Sequence, residues 1–415
     1  MAFLLDSARR NWQLFYPSDV RKSPAPLRFG ILGAANIAAN ALITPAKTHP
    51  EVIVQVVAAR DLLKAKAFAQ KHRIPEVART YQDILNNPNI NAVYIPLPNG
   101  LHYEWAFRAL AAGKHVLLEK PSVNNSREAE ALFNSPLLDG PQAPVLLEAA
   151  HFVFHPAWAA FMSYVKPYHV SSAKAVQFAP KLMFGKNNIR YRYDLGGGAL
   201  MDLGVYGASV LARIFATIPE LCEECVTQPS SSDPRCDRQF KARYRFPGGR
   251  YGVMEGDLNS FEIKPEILVV HNPIIVSGEE AGIELSPGLE VVRIRKVRFS
   301  VYLQPSYLHY IQVDDDFKIR GIEDPTKRVI KSWSVCKAVK AYTFRDIGID
   351  QPGEPDWSTY RYQLEQFVNK IRNREVQQWV DGADSINAMK MVDMAYTKAK
   401  LPLRPMSEYT LPPEA

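Results

Sequence analysis

A carboxylate and a phenol stand four positions apart after three glycines, at Asp202 and Tyr206. On a helix this i, i+4 spacing places both side chains on one face. An alcohol that loses a hydride to a nicotinamide must also lose its hydroxyl proton, and either group could exchange that proton. The glycines at 196–198 would let the backbone approach a cofactor closely. Taken singly, each residue is better explained by ordinary packing, so the argument depends on what the chain places beside them.

A lysine with an acidic neighbour is the second chemical feature. Glu119 and Lys120 follow directly on the apolar run at 115–118, which is typical of a buried strand. In parallel sheets, ligands bind at the carboxyl ends of the strands. The position therefore predicts that Lys120, with Glu119 beside it, lies against a bound cofactor.

Short apolar runs alternate with helical patterns through the first 150 residues. Helices are predicted at 36–47, 62–72, 103–112 and 127–133, with Pro45 kinking or ending the first. Strands are predicted at 27–32, 52–59, 92–95, 115–118 and 144–149. Strands that alternate with helices in this way form right-handed crossovers and a parallel sheet.

The turn after the first predicted strand has the composition of a phosphate-binding loop. The segment from Gly33 through Ala35, Asn36 and Ile37 would open a helix. Its backbone N–H groups and the helix dipole would favour binding of a pyrophosphate. The segment departs from the G-x-G-x-x-G pattern, because Ala35 replaces the second glycine and Ala38 the third. Its place in a strand–turn–helix unit still predicts a dinucleotide-binding domain.

The end of the second strand bears on cofactor choice. An acidic residue there usually binds the ribose 2′-hydroxyl of NAD, whereas an arginine accommodates the 2′-phosphate of NADP. Arg60 comes first and Asp61 follows, so the pattern favours NADP(H) and leaves NAD open. After the third strand, a rigid loop predicted to lie at the nicotinamide ribose contributes Leu97, Pro98, Asn99 and His102.

Beyond residue 150 the pattern changes to strands with few helices. Strands are predicted at 174–179, 250–257, 267–271, 291–303 and 329–344, loops at 222–243 and 314–326, and helices at 360–372 and 385–398. The expected fold is α/β, with a Rossmann-type parallel sheet followed by an α+β domain whose large open sheet is mostly antiparallel. The predicted boundaries are a helical N-terminal extension at 1–26, a dinucleotide domain at 27–150 and a substrate domain at 151–415.

Four ordered segments resemble those of one oxidoreductase family. The most specific is AGKHVLLEKP at 112–121, and the next is GGGALMDLGVY at 196–206. Glu148 with His155-Pro156 forms a third match, and YRYQ at 360–363 a fourth. The chain thus resembles the Gfo/Idh/MocA family, named for glucose–fructose oxidoreductase and inositol dehydrogenase. Because a tyrosine ends the second segment, the chain resembles in particular the branch of dimeric dihydrodiol dehydrogenases and NADP-dependent D-xylose 1-dehydrogenases.

The resemblance implies roles for individual residues. Tyr206 would be the acid/base, Lys120 would lower its pKa and hold the substrate hydroxyl, and Asp202 would orient the group or bind a hydroxyl. Glu148 would lie at the cofactor, as would Glu119. The resemblance also implies a homodimer formed through the open sheet of the second domain.

Further residues are weaker candidates for the same site. His151 and His155 are alternative proton carriers, although His155 before a proline is better explained as shaping a turn. Arg190 and Tyr191, just before the glycines, could line a pocket. Val153 stands where the branch often has arginine, which leaves the substrate open more than the chemistry.

Composition narrows the range of partners. A net charge of +7 is spread along the chain without a basic block, so nucleic acid is not expected as a partner. No run reaches the roughly 18 consecutive apolar residues of a membrane span. Cys222, Cys225 and Cys236 suggest zinc but lack a fourth ligand at a typical spacing, so free thiols in the cytoplasm are expected and no metal.

Three functions remain open from the sequence. The first is an NADP(H)-dependent dehydrogenase acting on an aldose or a vicinal diol. The second is a reductase of a carbonyl in a secondary metabolite, with the same residues working in reverse. The third is a cofactor-binding protein without catalysis, against which the intact Lys120 and Tyr206 argue.

Overall fold

The computed structural model describes residues 2–262 and 264–410. In chain order the helices are α1 Ala2–Phe15, α2 Thr44–Lys47, α3 Leu62–His72, α4 Tyr81–Asn86, α5 His102–Ala111, α6 Ser126–Phe133, α7 Pro156–Tyr164, α8 Val205–Phe215, α9 Thr359–Ile371 and α10 Gly382–Lys398. The strands of the first sheet are β1 Leu27–Leu32, β2 Val52–Ala58, β3 Glu76–Val77, β4 Ala92–Ile95, β5 His115–Leu118 and β6 Leu146–Glu148.

The first sheet is parallel throughout and has the strand order β3-β2-β1-β4-β5-β6. Its central strands are buried on both faces, which is why they are near-continuous apolar runs in the sequence. The predicted parallel sheet is thereby confirmed. The edge strand β3 and the helix α4 were not predicted, although Thr80 and Asp83 form a capping box that opens α4.

The helix after β1 differs in detail from the prediction. A π-helical turn at Ala39–Ile43 leads into α2, and Pro45 lies near the start of α2. The helix therefore continues to Lys47 and does not end at the proline. Pro45 lies inside the helical run at 37–47, and the π-helical turn directly before it interrupts the regular hydrogen-bond ladder, as an internal proline does by lacking an N–H group.

The second sheet follows with nine strands. They are β7 Val170–Pro180, β8 Leu221–Pro229, β9 Asp237–Phe246, β10 Arg250–Ser260, β11 Glu266–His271, β12 Ile274–Val276, β13 Leu289–Ser300, β14 Tyr310–Gly321 and β15 Lys331–Val339. Only β7 and β10 pair in parallel among these described strands. The predicted large, mostly antiparallel sheet is confirmed.

The two predicted loops in this region are wrong. Residues 222–243 form most of β8 and part of β9, and residues 314–326 belong largely to β14. In β9, Phe240, Ala242 and Tyr244 are buried while Lys241 and Arg243 face outward. This is the period-2 pattern of a half-buried strand, and the charged outer face made it look like a loop.

Helices cover one face of the second sheet. α8 packs on β7 and α10 packs on β8 and α6, so α10 joins the two sheets. At the N-terminus, α1 packs on the second domain: the Phe15 ring stacks on Tyr307 at 5.3 Å, and the Arg10 guanidinium lies 3.8 Å from the Tyr342 ring centroid.

One helical stretch within the described residues, Tyr193–Phe215, has the length and mean hydropathy (1.3) of a membrane span. In this fold 83% of its apolar window is buried, and a buried core helix passes the same test.

The cysteines that suggested zinc do not gather with other ligands. Cys222 and Cys225 lie on β8, and no group of three or more possible metal ligands occurs among the described residues.

Candidate active site

Lys120 leaves the carboxyl end of β5 and reaches the segment that follows the glycines. Its Nζ donates to Asp202 Oδ1 at 2.7 Å and to the main-chain carbonyl of Asp202 at 2.8 Å. The two side chains are 13% and 14% exposed. Two residues that are 82 positions apart thus form one partly buried ion pair at the binding edge of the first sheet.

Asp202 has a second cationic partner. Arg190 Nε donates to Asp202 Oδ2 at 2.6 Å, and the Arg190 guanidinium lies 4.2 Å from the Phe184 ring centroid. Burial alone would raise the pKa of Asp202, but the charges of Arg190 and Lys120 hold it well below its usual value. Asp202 is therefore a carboxylate that orients two cations.

The helical turn around Asp202 is not a regular α-helix. Residues Leu200–Gly204 form a π-helical turn that leads into α8. Such turns interrupt the regular hydrogen-bond ladder and occur frequently at functional sites. Here the turn presents both the carboxylate and the carbonyl of Asp202 to Lys120.

Tyr206 lies in the first turn of α8 and is 8% exposed. Lys120 Nζ lies 4.6 Å from the centroid of its ring, and the hydroxyl is 3.2 Å from His151 Nε2. Burial, then the neighbouring Tyr360 and Glu119, raises the pKa of Tyr206 well above its usual value. The role of Lys120 in lowering this pKa stays a prediction, and in this structure burial is the larger effect.

A buried polar cluster holds the glycine segment in place. Arg404 Nε donates to the Gly197 carbonyl at 2.5 Å, and its Nη2 lies 3.2 Å from Asp237 Oδ1 in a pair with no exposed surface. Tyr396 donates to the same Asp237 oxygen at 2.9 Å. Gly198 has φ +135°, and a Cβ there would collide with all three side chains. At Gly198 the glycine is therefore required by the close approach of the backbone to this cluster.

Replacement of Arg404 by Met is expected to lower the free energy of unfolding by about 3–5 kcal/mol, because Asp237 would keep a buried charge without its partner. Urea titration followed by circular dichroism measures the change. The control is Arg374→Met, which removes an ion pair with Glu51 from a half-exposed site and should cost no more than about 1 kcal/mol. Equal effects of the two substitutions would contradict the assigned role of Arg404.

The predicted cofactor loops lie together at the carboxyl edge of the first sheet. Gly33 has φ +116°, and a Cβ there would lie 3.1 Å from Leu97 Cδ2. Asn36 and Ile37 are exposed at the start of the next helix, and Ala35 is half-buried. The half-buried Pro98 leads into the turn at Asn99, whose side chain donates to the Gly196 carbonyl at 2.9 Å. This last bond links the loop after β4 to the glycine segment.

Three predicted cofactor residues are buried, with protein partners. The His102 ring nitrogens lie 2.8 Å and 2.7 Å from the carbonyls of Pro121 and Leu97. Glu119 accepts from the Tyr94 hydroxyl at 2.6 Å, and Glu148 accepts from the Ser122 N–H at 2.9 Å. These bonds hold the loops after β4 and β5. The polar atoms of the three side chains are thus used within the protein and are less available to contact a cofactor.

The remaining candidates divide between site and scaffold. His151 contacts Tyr206, and Arg190 contacts Asp202. His155 accepts from the Ala157 N–H and caps α7. Val153 is buried in the core, and Tyr191 is 8% exposed. Arg404 and Asp237 were not predicted, because nothing local in the sequence marks a polar residue that burial will pair with a distant segment.

Comparisons with known proteins find relatives of this chain among oxidoreductases. Residues 27–135 match the family described as "Oxidoreductase family, NAD-binding Rossmann fold". An uncharacterized oxidoreductase of Rhizobium meliloti is 36% identical over 231 residues, covering 55% of this chain and 67% of that protein. The D-xylose 1-dehydrogenase (NADP(+)) 2 of Haloferax volcanii is 28% identical over 379 residues, covering 90% and 98%.

A crystal structure of a 3-ketoreductase from Actinomadura kijaniata in complex with NADP and TDP-benzene has a TM-score of 0.62 and 21% identity, covering 90% of this chain and 98% of that one. This likeness extends over both sheets and supports the two-part fold. The match at 27–135 and the relatives confirm the predicted oxidoreductase class and the dinucleotide domain. The chain belongs to the Gfo/Idh/MocA family of oxidoreductases.

Proposed function

We propose that this protein is an NADP(H)-dependent oxidoreductase that interconverts a hydroxyl and a carbonyl group on an aldose or a vicinal diol. The observation that carries the proposal is the convergence of Lys120, Asp202 and Tyr206 at the carboxyl edge of a dinucleotide-type sheet. Residues 27–150 would hold the cofactor, and residues 151–415 would shape the substrate site. The relative from Haloferax volcanii, named as a xylose dehydrogenase, supports this substrate class.

The residues present fit a nicotinamide dinucleotide. The tight turn at Gly33 leads to the exposed residues Asn36 and Ile37 at a helix start, where N–H groups can bind a pyrophosphate. Exposed Arg60 supplies a cation beyond the end of β2. The cofactor supplies or accepts the hydride, and the protein supplies binding, orientation and a proton.

The proton is assigned to Tyr206. Because its pKa is raised, the phenol keeps its proton at neutral pH and can donate it to a carbonyl oxygen. Lysine has three N–H donors, and Lys120 uses two of them on Asp202. The third remains for a substrate oxygen, so Lys120 would hold the oxygen that Tyr206 protonates. Asp202 keeps the ammonium group directed at that point.

NADP(H) is favoured over NAD(H) by the hydrogen bonds of Asp61. Its Oδ1 accepts from the Leu63 N–H at 2.9 Å and the Lys64 N–H at 3.2 Å, so the carboxylate caps α3. A carboxylate in this role is less free to bind a ribose hydroxyl. Arg60 beside it is exposed, and its guanidinium can pair with a 2′-phosphate.

Replacement of Arg60 by Ser is expected to weaken NADPH binding by about 10- to 100-fold, the equivalent of one charge-assisted hydrogen bond. NADH binding should change by less than about threefold, because NADH has no 2′-phosphate. Quenching of protein fluorescence measures both dissociation constants. The control Arg73→Asn removes an exposed cation from the opposite end of α3. Equal loss of NADPH and NADH affinity would instead assign Arg60 to adenine stacking.

The proposed function is tested by titration with NADPH and NADH, followed by a panel of aldoses, vicinal diols and dicarbonyls in which NADPH consumption is recorded. Binding of neither nucleotide would overturn the proposal. Binding without turnover of any compound, with Tyr206→Phe behaving as wild type, would support the non-catalytic alternative.

A second candidate function is reduction of a keto group on a larger metabolite. The raised pKa of Tyr206 favours it, because a phenol that retains its proton is suited to the reductive direction. The named 3-ketoreductase of Actinomadura kijaniata has the same fold. Faster NADPH oxidation with ketones than NADP reduction with sugars would select this candidate.

Assembly and location complete the proposal. We infer a homodimer formed through the open face of the second sheet, where outward side chains such as Lys174, Lys241 and Glu255 form ion pairs and no helix covers them in the described part of the chain. The cytoplasm is the proposed location, supported by four cysteines that form no disulfide.

A further inference from the structure

The nearest polar partner of the Tyr206 hydroxyl is a histidine outside the Lys120–Asp202 pair. His151 Nε2 lies 3.2 Å from Tyr206 Oη, and the two rings meet edge to face with centroids 5.9 Å apart. His151 belongs to the helical turn His151–Phe154, which follows β6 after two residues. The carboxyl edge of the first sheet therefore places both Lys120, after β5, and the hydrogen-bonding group of His151, after β6, at the Tyr206 phenol.

The His151 ring is fixed from its other side. Its Nδ1 lies 2.9 Å from Thr359 Oγ1, and the Tyr360 ring lies against it with centroids 4.2 Å apart. His151 is 3% exposed and Thr359 is fully buried. With a partner at each nitrogen and a ring against its face, the imidazole has no freedom to rotate.

The imidazole in this position is neutral. Burial, followed by the charge of Lys120, lowers the pKa of His151 to about 3. A neutral imidazole has one N–H donor and one acceptor nitrogen. The hydroxyl of Thr359 can donate or accept, so it is compatible with either tautomer. The tautomer determines whether Tyr206 receives a hydrogen bond or gives one.

Donation of the Tyr206 proton creates a phenolate that requires a hydrogen-bond donor at its oxygen. Lys120 lies over the face of the ring and is bound to Asp202. Among the described residues, His151 Nε2 is the group within hydrogen-bond distance of Tyr206 Oη. An Nε2–H would leave the phenolic proton free to point at a substrate oxygen, whereas an Nδ1–H tautomer would draw that proton towards the imidazole.

We propose that His151 is a positioning residue for Tyr206: its Nε2–H donates to the phenolic oxygen, and the Thr359 hydroxyl donates to Nδ1 and so selects this tautomer. The inference rests on the proposed function, in which Tyr206 is the acid. A bound nicotinamide would supply the hydride to the carbonyl carbon, and the Tyr206 proton would pass to the carbonyl oxygen. The electron pair left on the phenolic oxygen is held by the His151 N–H, and solvent later returns the proton.

Two substitutions at His151 separate hydrogen bonding from packing. His151→Phe keeps an aromatic ring against Tyr360 but loses both nitrogens, and it is expected to lower kcat about 10²-fold, as removal of an oxyanion donor does. His151→Gln can donate through its amide and should stay within about tenfold of wild type. KM and the NADPH dissociation constant should change by less than about threefold in both. Wild-type kcat in His151→Phe, or equal losses in the two variants, would overturn the inference.

The tautomer is tested without turnover by ¹⁵N NMR of histidine-labelled protein, with His151 assigned from the His151→Gln variant. An unprotonated Nδ1 and a protonated Nε2 are expected, and Thr359→Val should shift the balance towards Nδ1–H. An Nδ1–H tautomer in the wild-type protein would overturn the inference. This outcome is distinct from failure of the proposed function, which would show as absence of nucleotide binding with either tautomer.

Discussion

Replacement of Tyr206 by Phe is expected to lower kcat by about 10²–10⁴-fold, the usual contribution of a positioned general acid. The ring, its contact with Lys120 and the packing of α8 would remain, because only the hydroxyl is removed. KM and NADPH affinity should change little, since the proton is needed in the transition state and not for binding. Steady-state rates with the best compound of the substrate panel measure the effect.

The matched control is Tyr244→Phe on β9, which removes another fully buried phenol hydroxyl, one bonded to the Met391 carbonyl at 2.7 Å. It should cost about 1 kcal/mol of stability and leave kcat unchanged. If Tyr206→Phe kept more than a tenth of wild-type kcat, a different group would be the acid. A parallel loss of kcat in Tyr244→Phe would show that stability and not chemistry is being measured.

The elements that position the cofactor loops were predictable from the sequence. The runs at 27–32, 92–95 and 115–118 have the bounds of β1, β4 and β5, because strands buried on both faces are apolar throughout. The second sheet was harder to predict. β9 and β14 have one charged face, and Asp314 to Asp316 look like a loop until β13 and β15 are known to lie beside them.

The candidate site was predictable only in part, for a related reason. Motifs mark Lys120, Asp202 and Tyr206, but their hydrogen bonds depend on partners that the fold supplies. Arg190 reaches Asp202 across 12 residues, whereas Arg404 reaches Asp237 across 167. A buried ion pair of that separation has no periodicity or spacing that the sequence could show. The raised pKa of Tyr206 also follows from the fold, because burial is its largest cause and neighbours distant in sequence, such as Tyr360, add to it.

Stability is expected to fall steeply as the pH drops below about 6.5, because several histidines are buried in the neutral form. Burial lowers the pKa of His49 to about 2 and that of His151 to about 3. It lowers the pKa to about 4 at His102, His271 and His309, and lowers that of His155 as well. In the unfolded chain these groups bind protons near pH 6.5. The unfolded state therefore takes up protons first, and the stabilisation present above pH 6.5 is lost towards the folded pKa values.

The size of the histidine contribution decides whether it dominates the pH dependence of stability. For each buried neutral histidine, the free energy of unfolding falls by about 1.4 kcal/mol per pH unit below 6.5. Six such histidines lower it by up to about 8 kcal/mol per pH unit. Buried Glu119, Glu148 and Asp237 have raised pKa values, caused by burial, and oppose the trend only as the pH approaches those values. A domain's net stability is about 5–15 kcal/mol. Thermal melts at constant ionic strength should therefore show Tm falling by more than about 10 °C between pH 7.5 and 5.5.

A single-site variant tests the assignment of this slope to histidines. His309 lies 2.7 Å from the Pro305 carbonyl and accepts from the Ala341 N–H at 2.9 Å. His309→Gln can keep both bonds without titrating, so the pH dependence of its stability should be shallower by about one proton. His169→Gln, which replaces a histidine at an exposed position, is the control. A Tm that stays constant from pH 7.5 to 5 in the wild-type protein would mean that these imidazoles take up protons in the folded state as they do in the unfolded chain. That result would contradict their burial in the neutral form below pH 6.5.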